Sequence, residues 1–217
     1  MQHPSLDVLA KQLQDVLRCT QEDLCCQIIR QVARGKPVAR THLQTSLHIS
    51  QHELEQRLTR LPETEVDQQG NILGWGVTLV PTSHRFELDG KLLYTWCAFD
   101  TVLFPPQLDR QAFVLSTCSI TSQAITFLAT PSGEIRDLAP ASSVMSLIIP
   151  PSRLECTRGS FCQQSLFFQS ASAAQTFLMA HPEAILLSLE EAGRLGWLTA
   201  LGQFAKTSPR ETGEDAR

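Results

Sequence analysis

Two residue types carry the chemistry this chain can offer. They are the cysteines, at 19, 25, 26, 97, 118, 156 and 162, and one isolated aspartate, Asp100. Asp100 is the only acid between Gly90 and Leu108, a stretch that is otherwise largely apolar. An ionised carboxylate is costly in such surroundings unless it is paired, so its pKa is expected to rise and the group to hold a proton. Cys97 stands three residues before it. The segment from Tyr94 through Trp96 and Cys97 to Phe104, closed by Pro105 and Pro106, reads as a short helix on which Cys97 and Asp100 share a face. A thiol beside a proton-holding carboxyl can capture a soft electrophile and then deliver a proton to it. The competing reading is structural, with Asp100 bonding backbone groups and Cys97 filling core.

A second segment, Arg158-Gly-Ser-Phe-Cys162, precedes an apolar run, and its Gly159-Ser160 turn could present Cys162 from a loop beside a strand. Core packing explains that cysteine equally well. Cys118, in the alternating run Ala112-Phe-Val-Leu-Ser-Thr-Cys-Ser119, reads as a structural thiol. No CxxC pair occurs, which argues against a zinc ribbon or a thioredoxin-type site. An odd number of cysteines does not fit a closed disulfide framework, and in a reducing compartment all seven are expected to be thiols. There is no GxGxxG, P-loop or HExxH, and most of the six histidines fall in the N-terminal part, away from Cys97 and Cys162.

The elements that must position these residues divide the chain in two. In the first part Thr20 begins a stripe of Leu24, Ile28 and Val32, ended by Gly35 and Pro37. Thr41 with Gln44, and Ser50 with Glu53, read as capping boxes for two further short helices. A hairpin is expected around Gly70-Asn71. Three helices and a hairpin give a winged-helix-like domain over residues 1–80. From Ser83 the texture changes to short β-rich runs, His84–Gly90, Ala112–Ser119, Ala124–Thr130, Val144–Pro150 and Gln164–Gln169. Two helices follow, over Ala173–Ala180 and after Ser188, which forms a capping box with Glu191. The fold class is therefore α+β, with an antiparallel-sheet core and flanking helices over residues 81–205, and a polar tail at 206–217.

In order along the chain, Tyr94-x-Trp-Cys-Ala-x-Asp-Thr101, Ser116-x-Cys118 and Ser160-Phe-Cys162 before Phe167-Phe168 resemble the organomercurial (alkylmercury) lyase family. The likeness extends upstream to Gly35-Lys-Pro-Val-Ala-Arg-Thr41 and Asp67–Gly76, and downstream to Pro140 and Ser146–Pro150, covering roughly Cys25 to Phe204. The resemblance implies protonolysis of a carbon–mercury bond, giving a hydrocarbon and Hg(II). It assigns the reaction to Cys97, Asp100 and Cys162, with the two thiolates as mercury ligands and Asp100 as a candidate third. Trp96, Phe161 and Tyr94 are the expected apolar walls for the organic group. The resemblance implies no cofactor in the resting state, external thiols for product release, and a mercuric reductase as recipient of Hg(II). The cysteine near position 118 recurs in the family and is read here as structural. Cys19, Cys25, Cys26 and Cys156 lie outside the motif and receive no role.

Composition narrows the rivals. The 217 residues carry a formal net charge of -4 with only 18% charged residues, so there is no basic field for nucleic acid and no polybasic run for lipid. No apolar run approaches the ~20 residues of a membrane span, and the first residues do not read as a secretory signal, so a cytoplasmic setting is expected. A thiol-based metal-sensing DNA-binding regulator is a second reading. Its recognition helix would carry Arg57 and Arg60 against Glu53 and Glu55, leaving little net charge for phosphate. A third is a protein that binds or transfers mercury without cleaving it.

Overall fold

The computed structural model describes residues 4–61, 63–152 and 158–204. Ser5 starts the first helix, its hydroxyl accepting the Val8 N–H at 3.4 Å. This helix, α1 (Leu6–Val16), buries Leu9, Leu13 and Val16 along one face and packs on the last helix among the described residues. It was not anticipated from the sequence. The expected stripe is α2 (Glu22–Val32), with Leu24, Ile28 and Val32 fully buried. α3 (Arg40–Leu47) begins two residues earlier than expected, so Ala39 takes the cap position and no Thr41–Gln44 box forms. The box at α4 (Gln51–Thr59) holds on its serine side, where Ser50 Oγ accepts the Glu53 N–H at 3.1 Å.

The strands build two antiparallel sheets where the sequence suggested one. The larger has eight strands in the order β1-β2-β3-β5-β4-β6-β7-β8. They are β1 (Glu65–Val66), β2 (Ile72–Trp75), β3 (Val77–Thr78), β4 (Arg85–Leu88), β5 (Lys91–Thr95), β6 (Ala112–Thr117), β7 (Ala124–Ala129) and β8 (Ile135–Ala139). The β1–β2 hairpin around Gly70 is the expected one, and Asp67 closes its turn by accepting the Gln69 and Asn71 N–H groups. Its strands continue into the sheet of the second part of the chain through β3, which pairs with β5. The smaller sheet, β10-β9-β11, comprises β9 (Val144–Leu147), β10 (Phe167–Phe168) and β11 (Ile185–Ser188). Of these strands β5, β8 and β11 were not foreseen.

Three helices complete the second part. α5 (Asp100–Leu108) follows β5, α6 (Gln175–Ala180) precedes β11, and α7 (Leu189–Phe204) closes the described chain. The Ser188–Glu191 capping box is complete, with the Ser188 N–H on Glu191 Oε2 at 2.8 Å and the Glu191 N–H on Ser188 Oγ at 3.2 Å. α5 and α7 cross at Gly196, where a Cβ would collide with the Val102 carbonyl. That carbonyl has no helical donor because Pro106 lacks an N–H.

Here the sequence reading of residues 94–106 needs correction. Tyr94 and Thr95 end a strand, residues 96–99 form a turn, and the helix starts only at Asp100. Cys97 therefore lies outside the helix. Pro105 and Pro106 lie inside it and do not end it; the end comes at Asp109, in the left-handed conformation at φ 52°. Packing of α5 against α7 outweighs the usual cost of an interior proline. A second correction concerns the thiols, because Cys19 and Cys25 form a disulfide. Pro62, Cys156 and the polar tail lie outside the described residues.

Candidate active site

Two chain segments meet beside α5. The first is the turn 96–99 between β5 and α5, and the second is a π-helical turn, Arg158–Cys162. Each is fixed by hydrogen bonds of its backbone groups to neighbouring threonines and to residues far along the chain. In the first turn the Trp96 N–H bonds the Gly76 carbonyl at 3.0 Å, and Thr95 Oγ1 donates to the Cys97 carbonyl at 3.1 Å. Thr101 Oγ1 donates to the Ala98 carbonyl at 2.7 Å. Gly76, at φ +75°, holds a backbone conformation that favours glycine, and a Cβ there would run into the Phe104 ring.

Ser165 joins the two segments. Its Oγ accepts the Phe99 N–H at 2.9 Å, its carbonyl accepts the Ala98 N–H at 3.3 Å, and its own N–H bonds the Cys162 carbonyl at 3.3 Å. Phe161 packs edge-on against Phe99, with ring centroids 5.7 Å apart. On the other side Glu63 receives the Arg158 and Gly159 N–H groups at 3.0 and 3.2 Å, and Glu65 receives the Arg158 guanidinium at 2.5 Å. Sequence reasoning missed Ser165, Arg158, Glu63 and Glu65. Their partners are 66 to 96 residues away, and no local pattern announces such pairings.

The result is that Cys97, Asp100 and Cys162, all buried, place their sulfur and carboxylate atoms within 4.8 Å of one another. Among the described residues this is the one such cluster of histidine, cysteine and acidic side chains. The Cys97 N–H donates to Asp100 Oδ2 at 3.2 Å. The structure brings together the three residues singled out from the sequence, although a turn running into a helix start, not a shared helix face, does the positioning.

Burial raises the Asp100 pKa to about 7, against opposing contributions from its hydrogen bonds to Cys97 and Trp96 and from the Arg158 charge. Burial also pushes the Cys97 thiol up, and the proton it shares with Cys97 holds the Cys162 thiol up further. With no substrate bound, the two sulfurs carry protons and the carboxyl is poised to gain or lose one near neutrality. Only a soft cation, whose bonds to sulfur repay deprotonation, will find thiolates here.

A cavity of about 210 Å³ opens onto this cluster, with Asp100, Cys162, Trp96, Phe161, Trp75 and Phe104 among its walls. Cys97, fully buried, is not on the wall. Trp96 and Phe161 stand where apolar walls were expected. Tyr94 does not; it is half-buried in β5, paired across the sheet with Arg85 and Thr78, and does not line the cavity. Cys118 is buried apart from the cavity, past the end of β6. Burial would raise its pKa, but hydrogen bonds from Thr121 and from the backbone of Gln169, Thr121 and Ile120 outweigh it, and the net shift is downward.

Comparison with known proteins agrees with the residue pattern. The family model described as MerB, alkylmercury lyase, matches residues 77–200. An alkylmercury lyase from Pseudomonas putida is 40% identical over 173 residues, covering 80% of this chain and 81% of that protein. One from Staphylococcus epidermidis is 38% identical over 169 residues, covering 78% and 77%. The crystal structure of the mercury-bound form of MerB2 superposes with a TM-score of 0.74 at 21% identity, over 91% of this chain and 98% of that one, a likeness of fold. The buried Cys97–Asp100–Cys162 cluster fits the residue set that the sequence resemblance named. By its sequence, over most of its length, this chain belongs to the alkylmercury lyase family.

Proposed function

We propose that the protein cleaves the carbon–mercury bond of alkyl- and arylmercury compounds by protonolysis, with Cys97, Cys162 and Asp100 as its catalytic residues. The observation that carries this reading is the convergence of two buried sulfurs and one carboxyl of pKa about 7 within 4.8 Å, at the wall of an aromatic cavity. Cys162, on the wall, meets R–Hg⁺ first; an Hg–S bond forms and the thiol proton leaves to solvent. The Cys97 sulfur then binds the same mercury, and its proton passes to Asp100. A second thiolate raises electron density on the metal and on its carbon. Asp100 returns the proton to that carbon as general acid. The Hg–C bond breaks, R–H leaves, and Hg(II) remains on two sulfurs with no change in oxidation state. Trp96 and Phe161 hold the organic group and keep water out.

The reading further assigns the protein no resident cofactor, external thiols for release of Hg(II), and a mercuric reductase in the same cytoplasm as the consumer of that product. No helix among the described residues is long and apolar enough to cross a membrane. The winged-helix-like part, residues 1–80, serves as scaffold for the catalytic part, residues 81–205. Against a DNA-binding role, Arg57 of α4 is engaged with Asp23 and Gln21 of the α2 region. The test is release of benzene from phenylmercury by the purified protein with excess small thiol. In D₂O the benzene should carry one solvent deuterium. Tight mercury binding with no hydrocarbon would reduce the protein to a mercury carrier.

A further inference from the structure

The cavity that reaches Asp100 and Cys162 is also lined by Cys19, Cys25 and Cys26, none of which the reaction uses. Cys19 precedes α2 and is half-buried, Cys25 sits in the first turns of α2, and their Cα atoms are 6.8 Å apart. Their sulfurs are bonded to each other, so they are already close enough to hold one ion between them. The Gln21 N–H donates to Cys19 Sγ at 3.4 Å, and such a donor favours the charged form of a sulfur once it is free. Cys26 stays a thiol, its pKa raised by burial. A soft ion leaving the reacting sulfurs enters a cavity whose wall carries a second pair of sulfurs.

We infer that Cys19 and Cys25, when reduced, form a second two-sulfur site that takes Hg(II) from Cys97 and Cys162 and frees them for another turnover. The inference rests on the lyase reading only in naming Hg(II) as the ion delivered. A low-molecular-weight thiol opens the disulfide, two R–SH giving one R–S–S–R and a thiol on each cysteine. Transfer is then ligand exchange. The mercury bonds to the Cys97 and Cys162 sulfurs break, those to the Cys19 and Cys25 sulfurs form, and the two protons of the receiving thiols pass to the departing thiolates. Mercury stays Hg(II) throughout, and the disulfide form cannot accept it.

The test counts turnovers without external thiol. Protein is reduced, freed of small thiols, and given phenylmercury in small steps. Benzene released per chain is expected to reach about two for the natural sequence and for Cys26→Ser, and about one for Cys19→Ala/Cys25→Ala, each two-sulfur site holding one soft ion. A natural chain that stops at about one, or a double variant that matches it, overturns the proposal while leaving the lyase reading intact. Absence of any benzene would instead overturn the lyase reading. A second measurement then decides the site alone. In Cys97→Ser/Cys162→Ser protein, added Hg(II) should protect Cys19 and Cys25 from alkylation, read in the tryptic peptide from Cys19 to Arg30. Unprotected cysteines there would refute the site.

Discussion

Ser165 Oγ accepts the Phe99 N–H at 2.9 Å, and through that bond the segment bearing Cys162 is tied to the turn bearing Cys97. Ser165 is buried, so replacing it with alanine leaves the Phe99 N–H without a partner, at a cost of about 1–3 kcal/mol in stability. Its larger effect should fall on the relative placement of the two sulfurs. Ser165→Ala should lower kcat/KM for phenylmercury by roughly tenfold or more, since small misplacement in a site is expensive. Ser165→Thr, which keeps the acceptor, should recover part of that loss. Unchanged kinetics with Ser165→Ala would show that the sulfurs are held by other contacts.

If Cys97 and Cys162 carry the proposed reaction, they should fail in different ways. Cys162 forms part of the cavity wall and Cys97, fully buried, does not. Cys162→Ser should therefore lose both organomercurial capture and turnover, because a hydroxyl is a poor ligand for a soft metal. Cys97→Ser should still form a one-sulfur adduct with phenylmercury, visible by mass spectrometry, yet release almost no benzene. Cys118→Ala should keep the chemistry and lose about 1–3 kcal/mol of stability, as backbone donors from Ile120, Thr121 and Gln169 lose their acceptor. The reverse pattern for Cys97 and Cys162 would mean that the order of capture is inverted.

In the proposed mechanism Asp100 separates cleavage from mere binding. Asp100→Asn keeps the shape but has no proton to give, so Hg(II) affinity should persist while hydrocarbon release slows by a factor on the order of 10² or more. The same variant has a signature in stability. Raised from 3.8 to about 7, Asp100 binds a proton in the folded state that it releases in the unfolded one, so its contribution falls as pH rises across that window. His84 acts in the opposite sense. Burial lowers its pKa from 6.5 to about 4, so stability is lost as pH falls through that range. Between about pH 4 and 6.5 the two slopes oppose each other, each near 1.4 kcal/mol per pH unit at most. Denaturant titrations should show a shallow dependence in the natural chain, stability rising with pH in Asp100→Asn, and stability falling with pH in His84→Gln. Two flat variants would place both groups at ordinary pKa values.

Arg158 stands with its guanidinium carbon 5.2 Å from the Trp96 ring centroid and pairs with Glu65, and its charge pulls the Asp100 pKa down. Arg158→Gln removes that pull, so the Asp100 midpoint should move above about 7. Arg158→Lys should keep it near the natural value. Carboxyl ¹³C chemical shifts followed through a pH titration report the midpoint directly. A midpoint unchanged in Arg158→Gln would leave Arg158 a positioning role alone.

Residue type and order were enough to single out Cys97, Asp100 and Cys162. A lone acid in an apolar stretch must be neutralised or served by donors, and cysteines with defined neighbours are rare enough to name a family. Helix faces were legible for the same kind of reason: the periods of Leu24, Ile28 and Val32, and the Ser50 and Ser188 caps, depend on contacts within a few residues. What lay beyond the sequence was set by partners far along the chain. Residues 94–99 are apolar enough for a helix, but pairing of Tyr94 and Thr95 with β3 draws them into a strand and leaves Cys97 in a turn. Pro105 and Pro106 should stop a helix, and packing of α5 on α7 overrides them. Tyr94 sits two residues from Trp96 and shares its chemistry, yet strand pairing holds it off the cavity. The meeting of Cys19, Cys25 and Cys26 with Asp100 and Cys162 at one cavity joins residues 74 to 143 positions apart. No periodicity encodes such a meeting, because it follows from the packing of α1, α2, α5 and the π-helical turn around a shared space.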